Sequence, residues 1–336
     1  MEQSSILKKH IFFISLFILL FSACSTKEVY EPKSLGEEWG KYESAKSELI
    51  DVSSNVALLE DRKALTKSGL TNVEISKNQR VVSYSDKWII SASIDGNATL
   101  TSVEDNTLQE NIDLKKTIAS ANVEGDILAV LFADNEMALY DIPSQAVLYK
   151  EQGGKASVLD SRIVPPHFMN GLVLFATLDG KVVIVNIELK KRLRTVIVSS
   201  EDNFNNVIYM DVLDNKIIAA TSYKLLSMSQ KDIRVKYEMR NVVYGEKNVY
   251  ITTKQGEVLS LTPDLQINSK IKFPFAHFLG MISLGKKLYI LEREGYMIVV
   301  DKESFDYTVH EVDIDDGFIF VADKLFYVSD EKILVE

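Results

Sequence analysis

Cysteine is nearly absent, with Cys24 alone in 336 residues, so no intramolecular disulfide can form and the fold must be held by its core. Histidine is scarce too. His10, His167, His277 and His310 stand far apart, without the HExxH or CxxC spacing of a zinc site. No G-x-S-x-G nucleophile turn and no glycine-rich phosphate loop occur. The chain is therefore expected to be non-catalytic, with no metal and no cofactor. Positive charge is in deficit, 38 Lys and Arg against 48 Asp and Glu, and no basic stripe carries interleaved aromatics, which argues against nucleic acid as a partner. Helical patterns are missing as well: the apolar runs are short, rich in Val, Ile, Tyr and Thr, and bounded by turn residues instead of helix caps.

What is present is a repeat. Runs with period-two alternation reach a tight turn and a second alternating run leaves it, most clearly over 171–195, GLVLFATLDGKVVIVNIELKKRLRT. The turns fall at Gly96, Asn135, Gly180, Tyr223, Gly256, Gly295 and Asp330, about every 39 residues, the period of a radial β-repeat. Gly, Asn and Asp suit such turns because they accept a positive φ; Tyr223 does not, and that copy is read from its flanking strands. Each period holds four strands of five or six residues. The expected fold is all-β, a single β-propeller of four-stranded blades over 55–336, seven blades by turn count with eight as the alternative.

The C-terminus supplies only three strands, 317–322, 324–329 and 332–336. An N-terminal strand, from 70–75 or 56–65, is expected to pair into the last blade and close the ring, since an open edge invites aggregation.

The first residues read as an address. Lys8, Lys9 and His10 precede the apolar core 11–21, and Ser22-Ala23-Cys24 follows. The core is too short to span a bilayer, so 1–23 is a signal peptide. The segment resembles a bacterial lipobox, with Phe21 where Leu is usual, which implies that Cys24 carries lipid and becomes the first mature residue. Ser25 after it, in place of Asp, points to the outer membrane. Residues 24–54 are charged and Ser-rich and read as a flexible tether, with Trp39 and Tyr42 as its candidate docking aromatics. Without Lys8, Lys9 and Glu2 the mature chain has net charge −11, against −10 for the full sequence. The densest basic cluster, Lys190, Lys191, Arg192 and Arg194, reads as a solvated hairpin tip, or else as a contact for an acidic partner or lipid phosphate. Asp313, Asp315 and Asp316 read as a solvated loop, lacking the ligand spacing of a calcium site.

The stretch 164–196, VPPHFMNGLVLFATLDGKVVIVNIELKKRLRTV, resembles the repeat of quinoprotein-type propellers: a Pro-led first strand, an Asn-Gly turn, an apolar strand, Asp-Gly, and an alternating strand ending in Asn. A lipidated, acidic, single propeller of this type is similar to the BamB family of outer-membrane assembly lipoproteins. That resemblance implies a non-catalytic adaptor on the periplasmic face of the outer membrane. It would be membrane-bound through its lipid, monomeric within a larger complex, and bound to a BamA-like partner and to unfolded outer-membrane proteins. It implies partner contacts at Leu159 and Arg162, in 158–162, VLDSR, where Ser161 replaces the second leucine of the family's Leu-x-Leu-Arg pattern. Two readings of Arg162 stand side by side: a guanidinium for a partner carboxylate, or a loop arginine paired with Asp160. The alternatives to the adaptor are an enzyme or small-ligand binder using the central channel, and an adaptor for another envelope complex.

Overall fold

The computed structural model describes residues 28–85, 87–156, 159–213 and 215–336. Cys24 and residues 1–23, expected as a signal peptide, lie outside the described residues, as does Val158. Every regular element among the described residues is a strand. The strands form eight four-stranded antiparallel sheets, in which chain order and spatial order agree for the first seven: 49–74, 80–113, 118–152, 167–197, 209–236, 239–272 and 278–311. The eighth joins Ile319–Val321, Leu325–Val328 and Glu331–Leu334 to Tyr42–Ser44. We number these sheets as blades 1 to 8.

Eight buried apolar clusters correspond to the eight blade junctions. Blades 1 and 2, for example, share Val56, Leu58, Ala64, Val81 and Ile89. The ring is shown closed by the cluster in which Leu49, Ala57, Leu59 and Leu65 of blade 1 pack on Phe320, Ala322 and Tyr327 of blade 8. First strands touch one another between blades 1 and 2, 2 and 3, 6 and 7, 7 and 8, and 8 and 1, which places the first strands toward the axis. The fourth strands form the rim; Lys191–Ile197 exposes all but one of its residues.

One backbone hydrogen bond recurs in every blade and explains the turn chemistry. The turn between second and third strands offers a carbonyl to the chain leaving the fourth strand: Arg62 to Ile75 N–H, Gly96 to Leu114, Asn135 to Gly153, Gly180 to Val198, Ser222 to Met239, Gly256 to Phe273, Gly295 to Val312 and Ser329 to Leu49, at 2.7–3.1 Å. Seven of these acceptors have a positive φ, between 54° and 90°. Ser222 is the exception, and there the Thr221 hydroxyl takes the N–H groups of Tyr223 and Lys224 at 3.2 Å. At Gly256 the close approach leaves no room for a side chain, since a Cβ would lie 2.0 Å from the Phe273 oxygen.

The count of seven blades is corrected to eight. Blade 1 turns through Glu60, Asp61 and Arg62, so a charged residue carries the positive φ, 68°, and the turn has no glycine or asparagine to mark it. The Arg62 guanidinium is held by the carbonyls of Ile75, Ser76 and Gln79 at 2.6–3.0 Å, bonds that offset the strain of the conformation. Residues 56–65 and 70–75 therefore belong to blade 1, and the strand that closes the ring is Tyr42–Ser44, paired with Glu331–Leu334.

The stretch 28–54 differs accordingly from a flexible tether. Leu49–Val52 is the first strand of blade 1. Gly36 and Trp39 donate their N–H groups to Val309 and Glu311 on the outer edge of blade 7, at 2.8 and 2.9 Å. Trp39 Nε1 bonds the Leu334 carbonyl at 3.1 Å. Tyr30, 5% exposed, sits edge-on to Phe273 and Tyr296 at 5.8 and 5.7 Å between ring centres. The segment thus covers an edge that would otherwise offer free backbone groups.

Candidate functional site

The connection from blade 3 to blade 4, residues 153–166, is the long crossover in which Leu159 and Arg162 fall. Its shape is set by a buried amide. Asn206 Oδ1 accepts the Asp160 N–H at 2.7 Å, and its Nδ2 donates to the Asp160 and Arg162 carbonyls at 3.1 Å each. At the other end Ser120 and Asn122 of blade 3 bond the carbonyls of Val164 and Pro166. Its backbone groups over 160–166 are thus taken up by side chains from elsewhere in the ring.

Asp160 Oδ1 accepts from the Arg162 N–H at 3.0 Å and from Nε at 2.8 Å. Asp160 Oδ2 accepts from Arg162 Nη2 at 2.5 Å and from the Ser222 hydroxyl at 3.0 Å. Arg162 Nη1 reaches past blade 5 to the carbonyl of Arg240 in the first strand of blade 6. Arg162 is paired within its own chain, with its side chain 38% exposed. Burial works to raise the Asp160 pKa, but the hydrogen bonds and charge of Arg162, with Ser222, outweigh it and hold the carboxyl below its ordinary range. Leu159 is half-buried against the core shared by blades 3 and 4.

Arg240 carries the second guanidinium of the site. In five blades the first strand has a register shift near its start: at Ile50, Val82, Ala119, Arg240 and Leu279. Such a bulge re-aims one side chain. Four of the five are apolar and blade 6 has arginine. Arg240 Nε is buried without a hydrogen-bond partner, and burial, then the charge of Arg162, depress the Arg240 pKa, with Asp160 opposing them. Asp160 is thus bonded to one guanidinium and only feels the charge of the other, so the cluster holds two cations for one carboxylate and suits a further one. Asn206, Ser222 and Arg240 were not legible as site residues in the sequence; the period-two pattern contains no sign of a bulge that moves one residue out of register.

The remaining sequence candidates are dispersed. Of the basic cluster, Lys191, Arg192 and Arg194 lie in the outer strand of blade 4 and not at a hairpin tip. Arg192 pairs with Glu151 of blade 3 and Arg194 with Asp232 of blade 5, the latter at 3.1 Å, so they tie three blades at the rim. His167, His277 and His310 fall at the start of blade 4, in the crossover before blade 7, and in the outer strand of blade 7. Among the described residues no group of three or more His, Cys, Asp or Glu is placed to hold a metal ion.

The fold and the crossover can be set against known proteins. Among solved structures, BamB from Moraxella catarrhalis superposes with a TM-score of 0.67 at 10% identity, covering 89% of this chain and 98% of that one. The fold is a BamB-like β-propeller. The C-terminal WD40 domain of Sif2 superposes with a TM-score of 0.65 at 11% identity, covering 90% and 99%, so the likeness is one of architecture. In sequence, the chain is 34% identical over 215 residues to the plasminogen-binding protein PgbB of Helicobacter pylori strain J99, covering 63% of this chain and 40% of that protein. PgbB of strain 26695 matches at 34% over 216 residues with the same coverage. The chain spans about 40% of the length of these curated relatives. No family model matches it.

Proposed function

We propose that this chain is a non-catalytic scaffold, anchored by lipid at Cys24 to the periplasmic face of the outer membrane, that binds a BamA-like component of β-barrel assembly. The observation that carries this reading is the crossover from blade 3 to blade 4, held over 160–166 by side chains from elsewhere in the ring. Asp160, Asn206 and Ser222 hold Arg162 in place, beside Arg240 with its unpartnered Nε. The partner supplies a carboxylate to this pair, and Leu159 gives an apolar neighbour, the combination that commonly concentrates binding energy. Exposed outer strands such as Lys191–Ile197 offer backbone pairing to unfolded client strands. The BamB-like architecture and the lipobox-like sequence at Cys24 support the same reading.

The test is co-purification from membranes with the intact chain, with Arg162→Glu and with Arg240→Glu. A barrel-assembly component retained by the intact chain and lost with either variant is the expected result. An unchanged partner list without such a component contradicts it.

A second reading rests on the 34% identity to PgbB: the propeller binds plasminogen at the cell surface. Direct binding of plasminogen to the purified chain, together with surface labelling of whole cells, favours this reading over the first.

A further inference from the structure

The N-terminal segment does more than close the ring, because it fixes where a lipid anchor leaves the molecule. Tyr30 is wedged at the junction of blades 6 and 7, in the cluster containing Phe273, Ala276, Phe278 and Val309. Only five residues separate it from Cys24. A chain advances at most about 3.6 Å per residue, so Tyr30 can lie no more than roughly 20 Å from an acylated Cys24, whatever path the intervening residues take. Each four-stranded blade measures about 15 Å from inner to outer strand, so the far side of the ring lies more than 30 Å away across two blades and the axis.

The surface beside this exit is unlike a soluble rim. The crossover from blade 6 to blade 7 is a single tight turn, closed by Ala276 N–H to the Phe273 carbonyl at 3.2 Å. At its tip Phe275 is 58% exposed with φ 65°, flanked by exposed Pro274 and Lys272. Ile267 is exposed on the same outer strand of blade 6. On the blade 7 side the charges near Tyr296 are acidic, Glu31, Glu294 and Glu311. The contact is therefore assigned to the blade 6 side. An aromatic ring at the tip and a lysine behind it match the apolar boundary and the phosphate layer of a bilayer.

We propose that the molecule stands edge-on, with the blade 6 rim and the crossover around Phe275 resting on the membrane and blades 2 to 4 pointing away from it. This rests on the lipid anchor at Cys24 proposed above. In such an orientation the crossover 153–166 faces the aqueous side, open to a protein partner.

Cys24 is the only cysteine, so once it is acylated an introduced cysteine is the single labelling site. The full lipidated chain, with its acylation verified by mass spectrometry, is labelled with a fluorophore at Pro274→Cys or at Val147→Cys. Val147 is 55% exposed on the outer strand of blade 3, opposite blade 7 in the eight-bladed ring. Each is reconstituted into phosphatidylethanolamine and phosphatidylglycerol vesicles bearing nitroxide headgroups. Quenching at position 274 is expected to be several-fold stronger than at 147, and Tyr30→Ala, with its strand content verified by circular dichroism, to reduce that ratio. Equal quenching at the two positions, or stronger quenching at 147, overturns the edge-on orientation while leaving the anchor intact. A chain found without lipid overturns both.

Discussion

The crossovers from blade 3 to 4 and from blade 6 to 7 solve one problem with opposite chemistry. Each carries the chain from a rim strand to the next inner strand, and each touches a largely buried carboxylate. In the first, Asp160 is matched by Arg162 and held below its ordinary pKa. In the second, Glu292 accepts the His277 and Glu294 N–H groups at 2.8 and 2.7 Å. Burial there raises its pKa and the charge of Glu294 adds to the rise, against the pull of the backbone donors. The first crossover is long, polar and fixed by side chains; the second is short, apolar and covered by Tyr30. The repeat is thus altered in two directions at these crossovers, toward a polar loop locked by side chains in one and a short apolar turn in the other.

Breaking the blade 6 turn that holds the start of the short crossover should have the largest effect. Gly256→Ala places a Cβ against the Phe273 carbonyl at positive φ, and should cost about 3 kcal/mol in urea unfolding. Tyr30→Ala should follow, at about 2 kcal/mol, because the ring is buried but lies at the rim. In the long crossover, Asp160→Asn should cost about 1–2 kcal/mol, a moderate figure since Arg162 is 38% exposed. This loss should depend on pH. The Asp160 pKa is lower folded than unfolded, so its contribution is complete above the unfolded value, about 3.9, and disappears as pH falls through the folded value. The difference between wild type and Asp160→Asn should therefore narrow in acid. Glu292 has the opposite sign, since its folded pKa is raised. Its ionisation weakens the fold as pH rises through that value, and the penalty is complete above it. Glu292→Gln, which keeps an acceptor for the His277 N–H, should leave stability near neutral pH unchanged or raise it by up to about 1 kcal/mol. Melting curves of both carboxylate variants across pH 3–8 test the contrast.

The blades were legible wherever a glycine or asparagine carries the positive φ, as at Gly96, Asn135, Gly180, Gly256 and Gly295. Blade 1 was hidden because Arg62 takes that conformation and is stabilised by carbonyls that only the folded chain assembles. The closing strand was hidden because Tyr42–Ser44 is three residues without apolar alternation, specified by its partner strand. At the site, the pairing of Arg162 with Asp160 follows from proximity in sequence and was readable. Arg240 and Asn206 were not, since they reach the crossover from 78 and 44–46 positions away through ring geometry alone.

The most direct test of this division is site-specific photo-crosslinking in intact envelopes, with the reactive residue at exposed Ser161 in the long crossover and, separately, at Phe275 in the short one. A discrete protein adduct is expected from position 161 and lipid adducts from position 275. Protein adducts of one kind from both positions, or lipid from 161 and protein from 275, would contradict that division.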